Sequence, residues 1–469
     1  GSEIVDVAEV ERILRRIAQL QNDLPQVRQL ELPLILAGAQ GAAVIGALVL
    51  LLACGCCAAF IIRSDLFSGV WQKLLAGGLT AAVFVFGFML SSGASKRSEG
   101  LIWLAALCAV AVCVRLAFID RISWDYRTFL SKWMQYFREN NGFRGIAGSV
   151  GDYNVTYLYF LALFSYSPLS DLLLIKLLSI AFDFVAAFYA MKIAGAMKSS
   201  AAYRSAAFFS VLFLPTVVTN GAYWGQCDSI YAAFALGALY FAIEDRVPTS
   251  LAMLGIAVSF KLQTVFIMPF WALLLLTGRL KFRWLPVFPA AYFVTILPAV
   301  LLGKPLGEIL NVYVDQLETY SDYLNLNAPS VFGFFGSADV DTASTFGIIA
   351  AALFCAALLV PAAARRSAMS KKTLCLYALA FCIGVPFLLP HMHERYYFMA
   401  EALSIALVWV DFKLLPAALL TQAATFMCYR NYLKGAGYDL RIPSVLMGAS
   451  LILTVAALYL SKRKGRKKA

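Results

Sequence analysis

Apolar runs long enough to cross a bilayer recur along most of the chain, and this limits its possible folds more than any other feature. A spanning helix needs about 20 apolar residues, and fewer where neighbours shield it or thin the bilayer. We read such runs at 32–62, 74–92, 101–119, 171–195, 204–220, 229–243, 284–302, 344–364, 374–389, 396–410, 414–428 and 443–460. Two shorter ones lie at 250–260 and 262–276. Together they make about 14 crossings. Of 469 residues, 61% are hydrophobic and only 14% charged, which excludes an ordinary soluble enzyme. An aromatic content of 14% excludes a disordered chain. The expected fold class is an all-α polytopic membrane protein.

Segment 155–166 is apolar but short, so it is read as re-entrant or interfacial. Parity supports this reading. With the amino terminus inside, the inner loops collect Lys96, Arg97, Lys198, Arg279, Lys281, Arg283, Arg365, Arg366, Lys371, Lys372 and the tail at 462–468. Roughly one inter-span residue in three is then basic inside and one in ten outside, the bias expected of a plasma-membrane protein with both termini cytoplasmic. Counting 155–166 as a crossing would put the basic tail outside.

The organisation follows from this map. Residues 1–31 form an amphipathic interfacial helix, with Val10, Ile13, Leu14 and Ile17 on one face and Arg12, Arg15 and Arg16 on the other. Transmembrane helices occupy 32–119, and a first large outer loop with interfacial or re-entrant helices spans 120–170. A transmembrane core over 171–460 includes an outer loop at 303–343, and a basic cytoplasmic tail closes the chain at 461–469. The net charge of +12 is spread over short clusters between spans, which does not fit a nucleic-acid partner. Cysteines 108, 113, 355, 375 and 382 sit inside apolar runs and read as small hydrophobes.

Polar residues that an apolar bundle does not need gather on the outer side. Asp125 opens a segment in which Phe129, Leu130, Trp133, Met134 and Phe137 recur at helical spacing. It is either an N-cap or a general base at the water–lipid boundary. Gly151-Asp152-Tyr153-Asn154 reads as a turn with an aromatic anchor. The run Asn220 to Ser229 places Trp224, Gln226 and Asp228 at one mouth, an amide and a carboxylate beside aromatic platforms, as in a sugar site. Lys261 and Gln263 interrupt an apolar stretch, where an ammonium costs about 3 kcal/mol unless it reaches a mouth or a partner. The chain's two histidines both lie in the run His391-Met-His393-Glu394-Arg395-Tyr396. A two-histidine metal site lacks further ligands, and imidazoles beside a guanidinium fit a phosphate clamp better. Asp183 and Glu401, inside spans, should act or pair with a cation such as Arg115 or Lys176.

Five motifs in order, DYRTFLSKW, GDYNVTYLYF, NGAYWGQCDS, SFKLQ and PHMHERYYF, resemble the bacterial relatives of the second GPI mannosyltransferase, a family of the GT-C class of integral-membrane glycosyltransferases. The likeness runs from about Asp120 to about Ala400. It implies a GT-C-type helical bundle that transfers a hexose, mannose first, from a polyprenyl-phosphate donor to a glycolipid, glycan or protein acceptor on the extracytoplasmic face. It places the catalytic carboxylate in the first outer loop, at Asp125, with Asp152 as a second candidate. The expected mechanism is inverting. Arg395, His391, His393 and Lys261 hold the donor phosphate, and Tyr126, Tyr153, Asn154, Trp224, Gln226, Asp228, Gln263, Glu394 and Tyr396 line the substrate site. No cofactor is expected; the chemistry reads as metal-independent, with a divalent cation left open. The rival readings are a lipid-linked polysaccharide polymerase or flippase, and a secondary transporter.

Overall fold

The computed structural model describes residues 38–63, 66–67, 69–95, 97–336, 338–365 and 369–466. The interfacial helix expected over 1–31 and the last three residues of the basic tail lie outside them. The described chain is almost wholly helical. Its helices are α1 (Gly38–Arg63), α2 (Val70–Ser92), α3 (Ser98–Leu116), α4 (Ser131–Glu139), α5 (Val155–Phe164), α6 (Asp171–Gly195), α7 (Ala201–Leu212), α8 (Pro215–Val218) and α9 (Asp228–Ile243). They continue with α10 (Val247–Phe260), α11 (Pro269–Leu276), α12 (Val287–Leu301), α13 (Leu306–Thr319), α14 (Val340–Arg365), α15 (Lys371–Leu388), α16 (Phe398–Val408), α17 (Leu415–Lys434) and α18 (Arg441–Arg466).

Eight helices among the described residues are long and apolar enough to cross a membrane, and α7 with the helical segment Pro215–Trp224, bent by 47°, adds a ninth if the two count as one span. Where described, all fourteen apolar runs are helical, but not all reach spanning length. Helix α9 has 16 residues and α10 has 14, and the segment Leu262–Leu276 is likewise short. At 1.5 Å per residue, α9 and α10 reach roughly 24 and 21 Å, against a hydrocarbon core of roughly 30 Å. Helix α5, 10 residues long, matches the short length read for its segment.

Burial separates the centre of the bundle from its rim. In α6 and α15, 67% and 78% of the apolar window is buried, against 17% in α1 and 11% in the span containing α12. Apolar residues all round a helix therefore face protein in α6 and α15, and the apolar surroundings of the protein in α1 and α12. Helix α9 packs against α6 and α10, α10 against α12, and α17 against α18.

A buried ion pair joins three elements inside this core. Arg115 of α3 donates to Asp183 of α6 at 2.9 Å and to the Leu212 carbonyl at the end of α7 at 3.0 Å, with both charged side chains fully buried. Of the two partners expected for Asp183, the structure has Arg115. Lys176 instead donates to the carbonyls of Phe118, Ile119 and Arg121 at 2.7, 3.1 and 2.6 Å. It thereby satisfies carbonyls of the turn that follows α3, and fixes the start of the first long loop.

The long loops gather at one end of the bundle. A two-residue parallel pairing, β1 (Asn325–Leu326) with β2 (Met392–His393), ties the loop after α13 to the loop after α15. Helix α13 lies over that end as an amphipathic cover. Leu306, Leu310, Val314 and Leu317 are exposed along one face. From the other, Tyr313 donates to the Val258 carbonyl and Gln316 to the Asp152 carbonyl.

Candidate functional site

Two π turns build the centre of the site. The first, Tyr126–Leu130, directly follows Asp125, and the second, Thr219–Trp224, ends in Trp224. Such insertions re-aim side chains that a regular helix would turn elsewhere. Asp125 is not the N-cap allowed by its position: its backbone is already helical and its carboxylate makes no capping bond. Ser123 serves there instead, its hydroxyl accepting from the Tyr126 N–H at 3.1 Å. Gly225 then reverses the chain at φ +83°, a conformation that favours glycine, and delivers Gln226 and Asp228 to the same place.

The Asp125 carboxylate is buried and held by three donors. Oδ2 accepts from Trp224 Nε1 at 2.8 Å and Gln226 Nε2 at 2.6 Å, and Oδ1 from the Tyr432 hydroxyl at 2.6 Å. A carboxylate has about four lone-pair positions, so one acceptor position remains on Oδ1, beside the half-exposed Tyr432. Tyr153 donates to Gln226 Oε1 at 3.2 Å, and Ser179 to the Gln226 carbonyl at 2.6 Å.

A second cluster adjoins the first through Trp224. Lys261 donates to Asp228 Oδ1 at 2.6 Å, and Asn220 donates to Asp228 Oδ2 at 2.7 Å. Asp228 therefore positions Lys261, where the sequence suggested a sugar-binding role. Lys261 also lies 4.9 Å from the Tyr153 ring centroid. The Arg395 guanidinium sits 5.4 Å from the Trp224 centroid and 5.9 Å from that of Tyr396. It donates to Glu394 at 3.2 Å, and its Nε lies 3.9 Å from Asp228. Trp224 thus offers its N–H to Asp125 and its ring to Arg395.

Asp152, Tyr153, Lys261, Gln263, His393, Arg395 and Tyr396 line a small cavity, closed on the α13 side by Gln316 and Tyr320. Its volume is about 50 Å³, room for a few waters only. Arg395 Nε, His393 Nε2, Glu394 Oε2 and Gln263 Oε1 are buried around it without a hydrogen-bond partner in the chain. A second cavity of about 250 Å³, lined by Ser149, Asn154, Lys304, Glu308 and Asp315 among others, shares Tyr153 as a wall.

Burial sets the protonation of this group. It pushes the Glu394 carboxyl up to about 7, against the pull of Arg395. The Asp152 carboxyl is raised for the same reason, partly offset by Arg395 and Lys261. His393 is held well below the ordinary imidazole value by burial and then by Arg395 and Lys261, so it is neutral near pH 7. It offers a hydrogen bond rather than the positive charge expected of it.

Three expected site residues stand apart. His391, at φ +61°, places Nδ1 against the Tyr323 carbonyl at 2.7 Å and Nε2 against Ser344 at 3.3 Å, so it anchors loops. Asn154 caps α5 through the Val155 N–H at 2.7 Å, and its amide donates to Tyr292 and Tyr313 at 3.0 and 3.2 Å. Tyr126 lies by Asp171 and Leu172 at the start of α6. In turn, Tyr432, Tyr429, Gln316 and Tyr320 belong to the site and were not singled out. Tyr429 and Tyr432, three apart among polar residues at the end of an apolar run, were the available signal for α17. Among the described residues no group of three or more histidine, cysteine or acidic side chains is placed to hold a metal. Comparison with protein-family models, curated proteins and solved structures gives no match.

Proposed function

We propose that the chain is an integral-membrane glycosyltransferase that moves a hexose from a polyprenyl-phosphate donor to an acceptor hydroxyl on the extracytoplasmic face of a bacterial plasma membrane. In this reading the fourteen apolar runs all cross, as a GT-C-type bundle, and both termini are cytoplasmic. The observation that carries it is Trp224. One indole joins a carboxylate with a free acceptor position to a buried guanidinium beside a second cation and several unpaired polar atoms.

The acceptor oxygen attacks the anomeric carbon from the Asp125 side and gives its proton to Asp125 Oδ1. The bond from the anomeric carbon to the phosphate oxygen breaks, and its electron pair leaves with the phosphate. Arg395 and Lys261 balance the growing charge, and neutral His393 donates to it. Opposite faces for attack and departure make the reaction inverting. Asp152 falls on the donor side, where its raised carboxyl can bond a sugar hydroxyl, and the base role is left to Asp125.

The test is Asp125→Asn in purified protein with polyprenyl-phosphate mannose. An asparagine can keep its oxygen toward Trp224 and Gln226 and turn its amide toward the Tyr432 oxygen, so the fold should survive. Transfer should fall by about a thousandfold or more with donor affinity unchanged. Near-normal transfer by this variant would remove Asp125 as the base.

A further inference from the structure

Glu401 stands fully buried in α16, and neither of its carboxyl oxygens has a hydrogen-bond partner among the described residues. The sequence offers Arg115 or Lys176 as its counter-charge, and the structure commits both elsewhere, to Asp183 and to three loop carbonyls. Of the other buried ammonium groups described, Lys261 pairs with Asp228, and Lys304 holds the Gly148 carbonyl and Glu308. Arg395 lies against Glu394 and Asp228. The charge that does reach Glu401 is that of Asp228, which repels it.

Two other elements bring neutral oxygens to this carboxyl. The hydroxyls of Thr216, at the start of α8, and Thr425 of α17 face it, and both side chains are fully buried. Their hydrogens point to other acceptors. Thr216 donates to Gln422 Oε1 at 3.2 Å, and Thr425 to the Thr421 carbonyl at 3.0 Å. One turn further along each element, Asn220 donates to Tyr429 at 3.2 Å and to Asp228 at 2.7 Å, and its Oδ1 is again buried without a partner. The Gln422 amide nitrogen is also unpartnered, but it is neutral and balances no charge. A buried carboxylate flanked by acceptor oxygens, with every nearby cation engaged, calls for a positive ion.

We propose that Glu401, Thr216 and Thr425 bind a monovalent alkali cation inside the bundle, one helical turn from the Asn220 side chain that holds Asp228. A single carboxylate with neutral oxygens matches one positive charge, whereas a divalent ion takes several carboxylates or keeps its own waters. Hard oxygen ligands suit such an ion. It joins α8, α16 and α17, which are distant in sequence, beneath the Asp228–Lys261 pair. The site takes no part in sugar transfer, so it stands or falls independently of the glycosyltransferase reading.

The experiment follows the thermal midpoint of the full chain in detergent, with NaCl or KCl titrated against choline chloride at constant ionic strength. At least one of the two alkali salts should raise the midpoint by several degrees and saturate, while choline, too large for the site, should not. Glu401→Gln keeps the shape of the side chain without its charge and should abolish the response. Thr425→Val removes one hydroxyl ligand and should shift half-saturation about tenfold to higher salt. Thr421→Val, one turn away with its hydroxyl against Ser450, should respond as the wild type does. Should Glu401→Gln fail to fold, the contrast between the two threonine variants carries the test. No advantage of either alkali salt over choline overturns the proposal, as does an equal response in Glu401→Gln or in Thr425→Val. A protonated-carboxyl infrared band that Glu401→Gln removes and neither salt alters also overturns it, since a proton then takes the place of the ion.

Discussion

Glu394 carries a buried carboxyl beside Arg395, whose guanidinium faces both Trp224 and the cavity at Lys261. Protonated, it leaves the Arg395 charge available to a phosphate; ionised, it competes for it. Because burial raises this carboxyl to about 7, the switch falls in the physiological range. A phosphodiester donor and the already neutral His393 do not titrate there, and Asp152, raised in the same direction, adds to the same sign. Donor affinity should therefore fall by up to about tenfold between roughly pH 6 and pH 8. Glu394→Gln should flatten that profile, and an equally steep profile in the variant would exclude Glu394 as its source. Lys261 was legible because an ammonium is costly in an apolar run, and Trp224, Asp228 and Arg395 because they gather at turns between runs; the four meet in the structure. Their pairing was not legible. That Asp228 serves Lys261, and that Tyr432 lies 307 positions from the aspartate it holds, depends on how distant helices dock.

At the scale of elements, α13 decides whether the site is open. Tyr313, Gln316 and Tyr320 fasten it to Val258, Asp152 and His393, while its apolar face is exposed. Beneath it the cavity at Lys261 and Arg395, about 50 Å³, is too small for a sugar, since ligand sites start at about 300 Å³. Tyr153 lines both that cavity and the larger one beside it. Lifting α13 would merge the two. Ser149 on the loop below and Glu308 on α13 are hydrogen-bonded at 3.1 Å. Cysteines at these two positions, joined by a short thiol cross-linker after Cys54 and Cys113 are changed to serine, should abolish donor binding. Reduction of a cleavable linker should restore it, and full binding while linked would show that α13 need not move. The sequence marks 303–343 as an outer loop without marking this cover, because α13 is apolar along one face only and has no apolar run of spanning length.

For the whole molecule, the spanning helices were visible as apolar runs, whereas the order in which they pack was not. Runs of similar composition ended at the centre, as in α15, or at the rim, as in α12. The Arg115–Asp183 pair ties α3 to α6 inside the centre. Asp183→Leu would strand a buried guanidinium, a loss of about 3–5 kcal/mol, and should lower the thermal midpoint of the detergent-solubilised protein. Adding Arg115→Met should recover most of the loss, and a single variant as stable as the wild type would make the pair incidental. The short helices α9 and α10 have a different consequence. Because they are several ångströms shorter than the hydrocarbon is thick, Asp228 and Lys261 at their ends can stand below the headgroup plane. A carrier lipid anchored by its tail would then meet these charges by sliding sideways, and its polar end would never have to be pulled clear of the leaflet.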